Sequence, residues 1–353
     1  VLATVAVVLG AASAAAGSAS PHADTTTTVT SPPNQITMSF VGDTDLGNTP
    51  KLVPNPTAYL APVKKALNAD IEFFNLEGTL TSSTDSKCGG DSSECYAFRN
   101  PPSFAQYYED EGFTVANSAN NHSHDFGNQG VLDTSAALKK YHLVQAGLPG
   151  QIGIVNYHGV KVAFCDFAPY TNTNNMLNFA AAKTLIQKAK GMANFVVVYM
   201  HAGAEGPTAD HVTGKEEHYV GEDRGNPELF AKSAINDGAS LVVASAPHVL
   251  RGMEFYRGHL IAYSLGDFAD YYNFSSSGDL ALSGILHVTL TSTGQYVGAR
   301  FLPTILTPAG KPSLDPLRRS AAFVVMLSRE DFGTSAVNIA NNDVIIPPKG
   351  ALG

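Results

Sequence analysis

Positive charge is what this chain has least of. Lys and Arg number 22 against 31 Asp and Glu, charged residues make up 15% of 353 positions, and the formal net charge is −9. Proteins that bind nucleic acid normally present a basic face, so no nucleic-acid partner is expected. No block of like charges occurs either, which removes an acidic or basic interaction tail. Two further absences narrow the chemistry. There is no Gly-x-x-x-x-Gly-Lys-Ser/Thr or Gly-x-Gly-x-x-Gly loop to cradle phosphates, and no Gly-x-Ser-x-Gly elbow to present a serine nucleophile. No repeat recurs at a solenoid period. Hydrophobic residues at 44% still allow a sizeable core, in one large domain or two modest ones.

Cysteine is scarce, with three in the chain. Cys88 and Cys95 bracket a Gly, Ser and Asp-rich stretch, close enough in sequence for a local disulfide, which suits an oxidising compartment. A metal site on the same pair is the rival, but no nearby Cys or His completes it. Cys165, inside the apolar run Val160–Phe167, reads as a buried free thiol and a poor nucleophile. Long apolar runs are also missing, except at the start. Val1–Ala16 is almost wholly Val, Ala, Leu and Gly and leads into small residues, as in a secretory signal. It is short and rich in Ala and Gly for an anchor, so no stable membrane span is expected in the mature chain. The expected plan is a signal over 1–23, a Thr, Ser and Pro-rich linker over 24–34, a main domain over 35–306 and a C-terminal extension over 307–353. The expected location is secreted or extracytoplasmic.

What the chain does have is a repeated alternation of strand and helix patterns. Apolar runs at Ile36–Val41, Ile71–Phe74, Phe113–Ala116, Phe195–Met200 and Leu241–Ala244 read as strands. Helical spacing lies between them, at Pro56–Ala69 with Pro62 as a kink or start, at Pro101–Glu111, and at Asn174–Lys190. Gly284–Leu290 and Tyr296–Pro303 look like a closing antiparallel pair. Alternating elements followed by a run of strands predict an α/β sandwich with mixed sheets.

Each of the five strands ends in residues able to bind a cation. Asp43 and Asp45 follow the first and Glu77 the second. Asn121 and His122 follow the third, and His201 and His248 the last two. Parallel neighbours would bring these side chains to one sheet edge, where ligands sit in open α/β sheets. Carboxylate, imidazole and one amide oxygen form a borderline-hard set that suits Mn, Fe or Zn at a hydrolytic centre. One or two divalent ions are expected, with metal-activated water as the nucleophile. Each residue has a plainer reading. Asp43 after Gly42 would cap a turn, Asp45 would be a solvated loop carboxylate, and Glu77 would pair with Lys or cap a helix. His201 and His248 would be core histidines. A core histidine sits within a strand more often than at its exit.

Six segments then fall into a known order. Phe40-Val-Gly-Asp43, Asn75-Leu-Glu-Gly78, Ala119-Asn-Asn-His122, His201-Ala-Gly203, Pro247-His-Val-Leu250 and Tyr263-Ser-Leu-Gly266 resemble the motifs of the CapA family. This is the bacterial capsule-synthesis (poly-γ-glutamate) group, related to calcineurin-like metallophosphatases, and the resemblance runs from about Ile36 to Pro303. It implies a four-layer α/β/β/α sandwich. It also implies that Asp43 and His248 bind a first metal, Asn121 and His201 a second, and that Glu77 bridges them. His122 would protonate the leaving group and Asp125 would orient it. Two departures affect the metals. Ser245-Ala246 stands where the family often has a histidine, which weakens the second site, whereas Asp45 adds an anionic oxygen near the first. Asp267 replaces a usual Asn and reads as a contact to substrate or to a ligand.

The expectation for function is an exported, metal-dependent hydrolase linked to capsule or poly-γ-glutamate biosynthesis. Its substrate would be an anionic polymer or a phosphoester, with cell-envelope biosynthesis machinery as possible company. Arg99 and Arg251 would hold the anionic group, and the plainer reading for both is a surface salt bridge. The alternatives are a non-catalytic accessory of polymer synthesis with one structural metal, and a secreted metallophosphoesterase.

Overall fold

The computed structural model describes residues 34–89 and 95–352. The expected signal and residues 24–33 of the expected linker lie outside the described residues. Two mixed sheets face each other. The first has eight strands, in the order Lys311–Leu314, Tyr296–Thr307, Leu282–Thr291, Gln35–Asp45, Ile71–Leu76, Val115–Asn117, Val144–Ala146, and Asp267–Asp270 pairs with the C-terminal end of Gln35–Asp45. The second has six, in the order Met253–Tyr256, His259–Ala262, Leu241–Ser245, Phe195–His201, Val160–Phe167, Gly153–Tyr157.

Within each sheet the strands that carry the expected site are parallel to one another. Their exits therefore share an edge. Parallel strands covered on both faces read as unbroken apolar runs, and all seven residues of Phe195–His201 are buried. Inward residues of both sheets meet in one core, where the Phe73 ring lies 5.5, 5.7 and 4.8 Å from those of Phe40, Phe164 and Tyr199. The outer face of the first sheet packs on helices through Tyr59, Leu60, Tyr108 and Leu138. The second packs on Phe179–Lys190 and Pro227–Asp237 through Ile186 and Phe230. The protein is thus a four-layer α/β/β/α sandwich.

One element differs from the sequence reading for a physical reason. The helix expected over Pro56–Ala69 is two short helices, Pro56–Leu60 and Lys64–Leu67, because Pro62 has no N–H to carry the ladder onward. The C-terminal extension packs as part of the sandwich. Its helix Arg319–Phe332 puts Ala321 and Val324 into the core between the sheets, and Ser328 Oγ accepts from Met253 N at 2.8 Å.

Candidate metal centre

Asp43 is delivered to the sheet edge by a close approach of two strands. Its N–H donates to Gly266 O at 3.0 Å, and a Cβ on Gly42 would stand 1.8 Å from that oxygen, so only glycine fits before it. The next strand contributes Glu77 through a turn in which Glu77 N donates to Thr44 O at 3.1 Å. Asn75 lies between the two carboxylates. Its Nδ2 donates to Asp43 Oδ1 at 2.6 Å and to Glu77 Oε2, while its Oδ1 accepts from Asn117 at 2.6 Å and Asn120 at 3.0 Å. The asparagines of the 117–121 loop are therefore a scaffold for the centre as well as a source of one candidate ligand.

That ligand is Asn121, whose Oδ1 lies 2.9 Å from His201 Nε2. His201 is fully buried, and burial holds its pKa down at about 3, so the imidazole is neutral and has a lone pair to offer. His248 differs. Burial opposes its charged form, but Asp267 at 2.7 Å and Asp43 at 3.3 Å outweigh this and raise its pKa well above the ordinary value. The carboxylates that hold that proton are the ones a cation would use. Burial, partly offset by His248, pushes Asp267 up to about 7, and burial with the Asp43 charge raises Glu77. Asp43 goes the other way: burial would raise it, but His248 and His201 lower it.

Two groups of ligand atoms converge within 4.8 Å, Asp43 with His248 and Asp267, and Asp43 with Glu77 and His201. Asp43, rather than Glu77, is the residue common to both. Three buried atoms, Glu77 Oε1, Asp267 Oδ2 and His248 Nε2, have no hydrogen-bond partner among the described residues. Such orphans inside a buried cluster need a partner. The donor set suits a borderline-hard divalent cation, so the residues present fit the metal that the sequence implies. Ser245 stands at the strand end where the sequence resemblance implies a histidine. Its hydroxyl donates to Asp43 Oδ1, accepts from Tyr199 OH, and lies 3.4 Å from His201 Nδ1. The segment is held in unusual backbone geometry, with Ala246 at φ 108° and His248 at φ 56°, a form of strain that gathers at functional sites.

His122 belongs to neither group. Its Nδ1 is 2.8 Å from Asp125 Oδ2, and its Nε2 is 3.8 Å from Glu77 Oε1. Asp125 is fixed in turn by Phe98 N at 2.6 Å and Lys87 Nζ at 2.7 Å. Together with Asn121, His248 and Asp267, His122 forms the floor of an open cleft of about 740 Å³.

Other expected residues lie elsewhere. Asp45 accepts from Asn100 at 3.2 Å and Asn273 at 2.6 Å, beside Asp270, and joins neither group. Arg99 turns its guanidinium to Ser83 O and over the Phe126 ring. Arg251 is fully buried, grips Glu217 at 3.1 and 2.7 Å, and braces the hairpin formed by Glu217–Tyr219 and Glu222–Gly225. Neither arginine lines the cleft; Lys87 and Arg224 do. Cys88 and Cys95 form a disulfide with Cα atoms 5.6 Å apart, and Cys165 is a buried free thiol. Asn75, Glu205 and Arg224 are site residues that the strand-end pattern does not single out.

Comparison with known proteins gives a consistent result. The family model described as "Bacterial capsule synthesis protein PGA_cap" matches residues 37–272. The PGA biosynthesis protein CapA of Bacillus subtilis (strain 168) is 28% identical over 288 residues, covering 74% of this chain and 70% of that protein. The capsule biosynthesis protein CapA of Bacillus anthracis is 27% identical over 274 residues, covering 70% of this chain, which spans 63% of its length. Among solved structures, a 5'-nucleotidase precursor from Thermus thermophilus is similar with a TM-score of 0.44 and 12% identity, over 84% of this chain and 59% of its own.

Proposed function

The chain belongs to the bacterial capsule synthesis protein family, and from that premise we propose that it is an exported, metal-dependent hydrolase acting on an anionic cell-envelope polymer or a phosphoester. The observation that carries this reading is His122. It stands at the floor of an open cleft beside two candidate cation sites and is a ligand of neither. A divalent cation in such a site supplies Lewis-acid polarisation of oxygen and a lowered pKa for water. Asp43, His248 and Asp267 would hold one, and Asp43, Glu77 and His201 with Asn121 a second. His122 keeps its Nδ1 toward the Asp125 carboxylate, so Nε2 is the atom that passes a proton to a departing oxygen or nitrogen. Lys87 balances the Asp125 charge and fixes its orientation. The Cys88–Cys95 disulfide supports export, and no helix among the described residues is long and apolar enough to cross a membrane.

Metal analysis of the purified protein, followed by a screen on phosphoesters and γ-glutamyl polymers, tests the reading. Asp43→Ala is expected to lose both metal and hydrolysis. His122→Ala is expected to keep its metal and lose about 10²–10⁴-fold in rate. Absence of stoichiometric metal, with hydrolysis indifferent to Asp43→Ala, would overturn it. A second reading, a non-catalytic accessory with one structural cation, is favoured by the Tyr199–Ser245–Asp43 chain, which occupies one oxygen of the shared carboxylate. One metal equivalent and no turnover would establish that reading instead.

A further inference from the structure

Phenyl rings lie against both the candidate proton donor and one candidate cation ligand. Phe274 faces His248, with ring centroids 4.2 Å apart and planes 27° apart. Phe98 faces His122 at 4.4 Å and 38°. The phenyl rings also meet each other, edge to face, at 5.4 Å and 75°. Among the described residues, neither packs into the apolar clusters that hold the sandwich together. Their places are set instead by carboxylates around the site. The strand Asp267–Asp270 begins with the aspartate that meets His248 Nδ1 at 2.7 Å. It ends with the aspartate that closes the next turn, since Asp270 accepts from Asn273 N at 3.0 Å and from Phe274 N at 2.9 Å. Phe98 is fixed by its own N–H, which donates at 2.6 Å to Asp125 Oδ2, the same atom that faces His122 Nδ1 at 2.8 Å.

Each imidazole is thus held in two directions. A carboxylate takes Nδ1, Asp267 for His248 and Asp125 for His122, and a phenyl ring covers one face. The hydrogen bond fixes where one nitrogen points but leaves the ring free to rock about that axis, because the terminal torsion of histidine is broad. A flat ring against the face removes that freedom. The edge-to-face contact between Phe274 and Phe98 is a favoured geometry for aromatic pairs, so the two face contacts support each other. We infer that Phe274 is a positioning residue: it holds the His248 face directly and the His122 face through Phe98. Candidate ligand and candidate proton donor are then set by one chain of rings, carried on the turn that follows Asp267–Asp270. Phe274 is half-buried on the cleft wall, so its work is local to the site. Contacts behind a ligand tune its grip on a cation without touching the cation. The inference rests on the proposed function only for the roles of the two histidines.

Phe274→Leu keeps apolar bulk and removes the flat face, whereas Phe274→Tyr keeps both. Mn²⁺ affinity is measured by titration calorimetry on the full chain. It is expected to fall about 10-fold in Phe274→Leu and to stay at the parent's value in Phe274→Tyr. Parent-like affinity in Phe274→Leu, or an equal fall in both variants, would overturn the inference, because the side chain would then only fill space. A second measurement needs neither metal nor turnover. The carbon-bound protons of the His122 imidazole give NMR signals that are identified by their loss in His122→Ala. Phe274→Leu is expected to shift these signals, although the ring that faces His122 is Phe98. Unmoved signals would overturn the chain of rings. A parent protein that bound no Mn²⁺ would defeat the proposed function, and the His122 signals would still decide this inference. Weakened Mn²⁺ binding and shifted signals, without turnover of any substrate, would defeat the hydrolase reading and leave Phe274 as a positioning residue of a non-catalytic centre.

Discussion

At the scale of single residues, the candidate centre depends on which neighbour each carboxylate faces. Asp267 illustrates this. It was legible in the sequence only as a departure from a family asparagine, yet its Oδ1 lies 2.7 Å from His248 Nδ1 and its Oδ2 has no partner among the described residues. Asp267→Asn keeps the shape and removes the charge. Affinity for Mn²⁺ is expected to fall about 10–100-fold by titration calorimetry, and unchanged affinity would remove Asp267 from the centre. Arg99 and Arg251 show the opposite error, because nearness to a motif along the chain does not say which way a side chain points. Glu72, remote from the centre, carries a pH prediction. Burial pushes its carboxyl up to about 7, and its Oε2 has no hydrogen-bond partner among the described residues. A folded-state pKa above the unfolded value of about 4.5 means that the native state binds the proton more tightly. The associated stability is fully present below about pH 4.5 and is lost as pH rises through about 7, on the order of 3 kcal/mol in all. Glu72→Gln should therefore flatten this part of the stability profile and melt higher than the parent at pH 8. A variant whose urea midpoint tracks the parent's from pH 5 to pH 8 would refute this.

At the scale of elements, most of the sandwich was readable and one element that lines the cleft was not. Strands such as Phe195–His201 announce themselves because both faces are buried, and a polar residue directly after such a run marks the exit. The hairpin 217–225 gives no such signal. Glu-His-Tyr-Val-Gly-Glu-Asp-Arg-Gly has neither apolar alternation nor an Asn-Gly or Asp-Gly turn. Its tip is also strained, since Val220 sits at φ 48° before Gly221 at φ 79°. A tight turn of this hand wants Asn or Gly first, and a β-branched residue there costs about 1–2 kcal/mol. Val220 is 81% exposed, so its side chain offsets little of that cost by packing. Val220→Asn is expected to stabilise the protein by about 1 kcal/mol, raising the melting temperature by roughly 2 °C. No rise would show that the hairpin opens independently of global unfolding.

At the scale of the whole molecule, the centre joins the two halves of the sandwich. Asp43, Glu77, Asn121 and Asp267 come from the first sheet and its loops, and His201 and His248 from strand ends of the second. The sequence showed five strand exits but not their order in space, because lateral strand order is set by long-range pairing that no local pattern encodes. The grouping of ligands across the two sheets follows from that order. A cation bound here would be a cross-link between sheets, and it would relieve the mutual repulsion that helps raise the pKa of Glu77 and Asp267 beside Asp43. Ligand held only by the native state stabilises it by mass action, about 2.7 kcal/mol at 100 times the dissociation constant. For a domain of this size that corresponds to roughly 5 °C in melting temperature. Chelation should therefore lower the melting temperature of the parent protein by about that amount. Asp43→Ala, which removes the residue common to both groups, should melt at the same temperature with and without chelator. Asp45→Ala should behave like the parent in its response to chelator, because Asp45 faces Asn100 and Asn273 instead of the centre. A parent protein indifferent to chelator would show that the two sheets are not held together by a cation at this edge, and an Asp45→Ala variant that loses the parent's response would put Asp45 among the ligands.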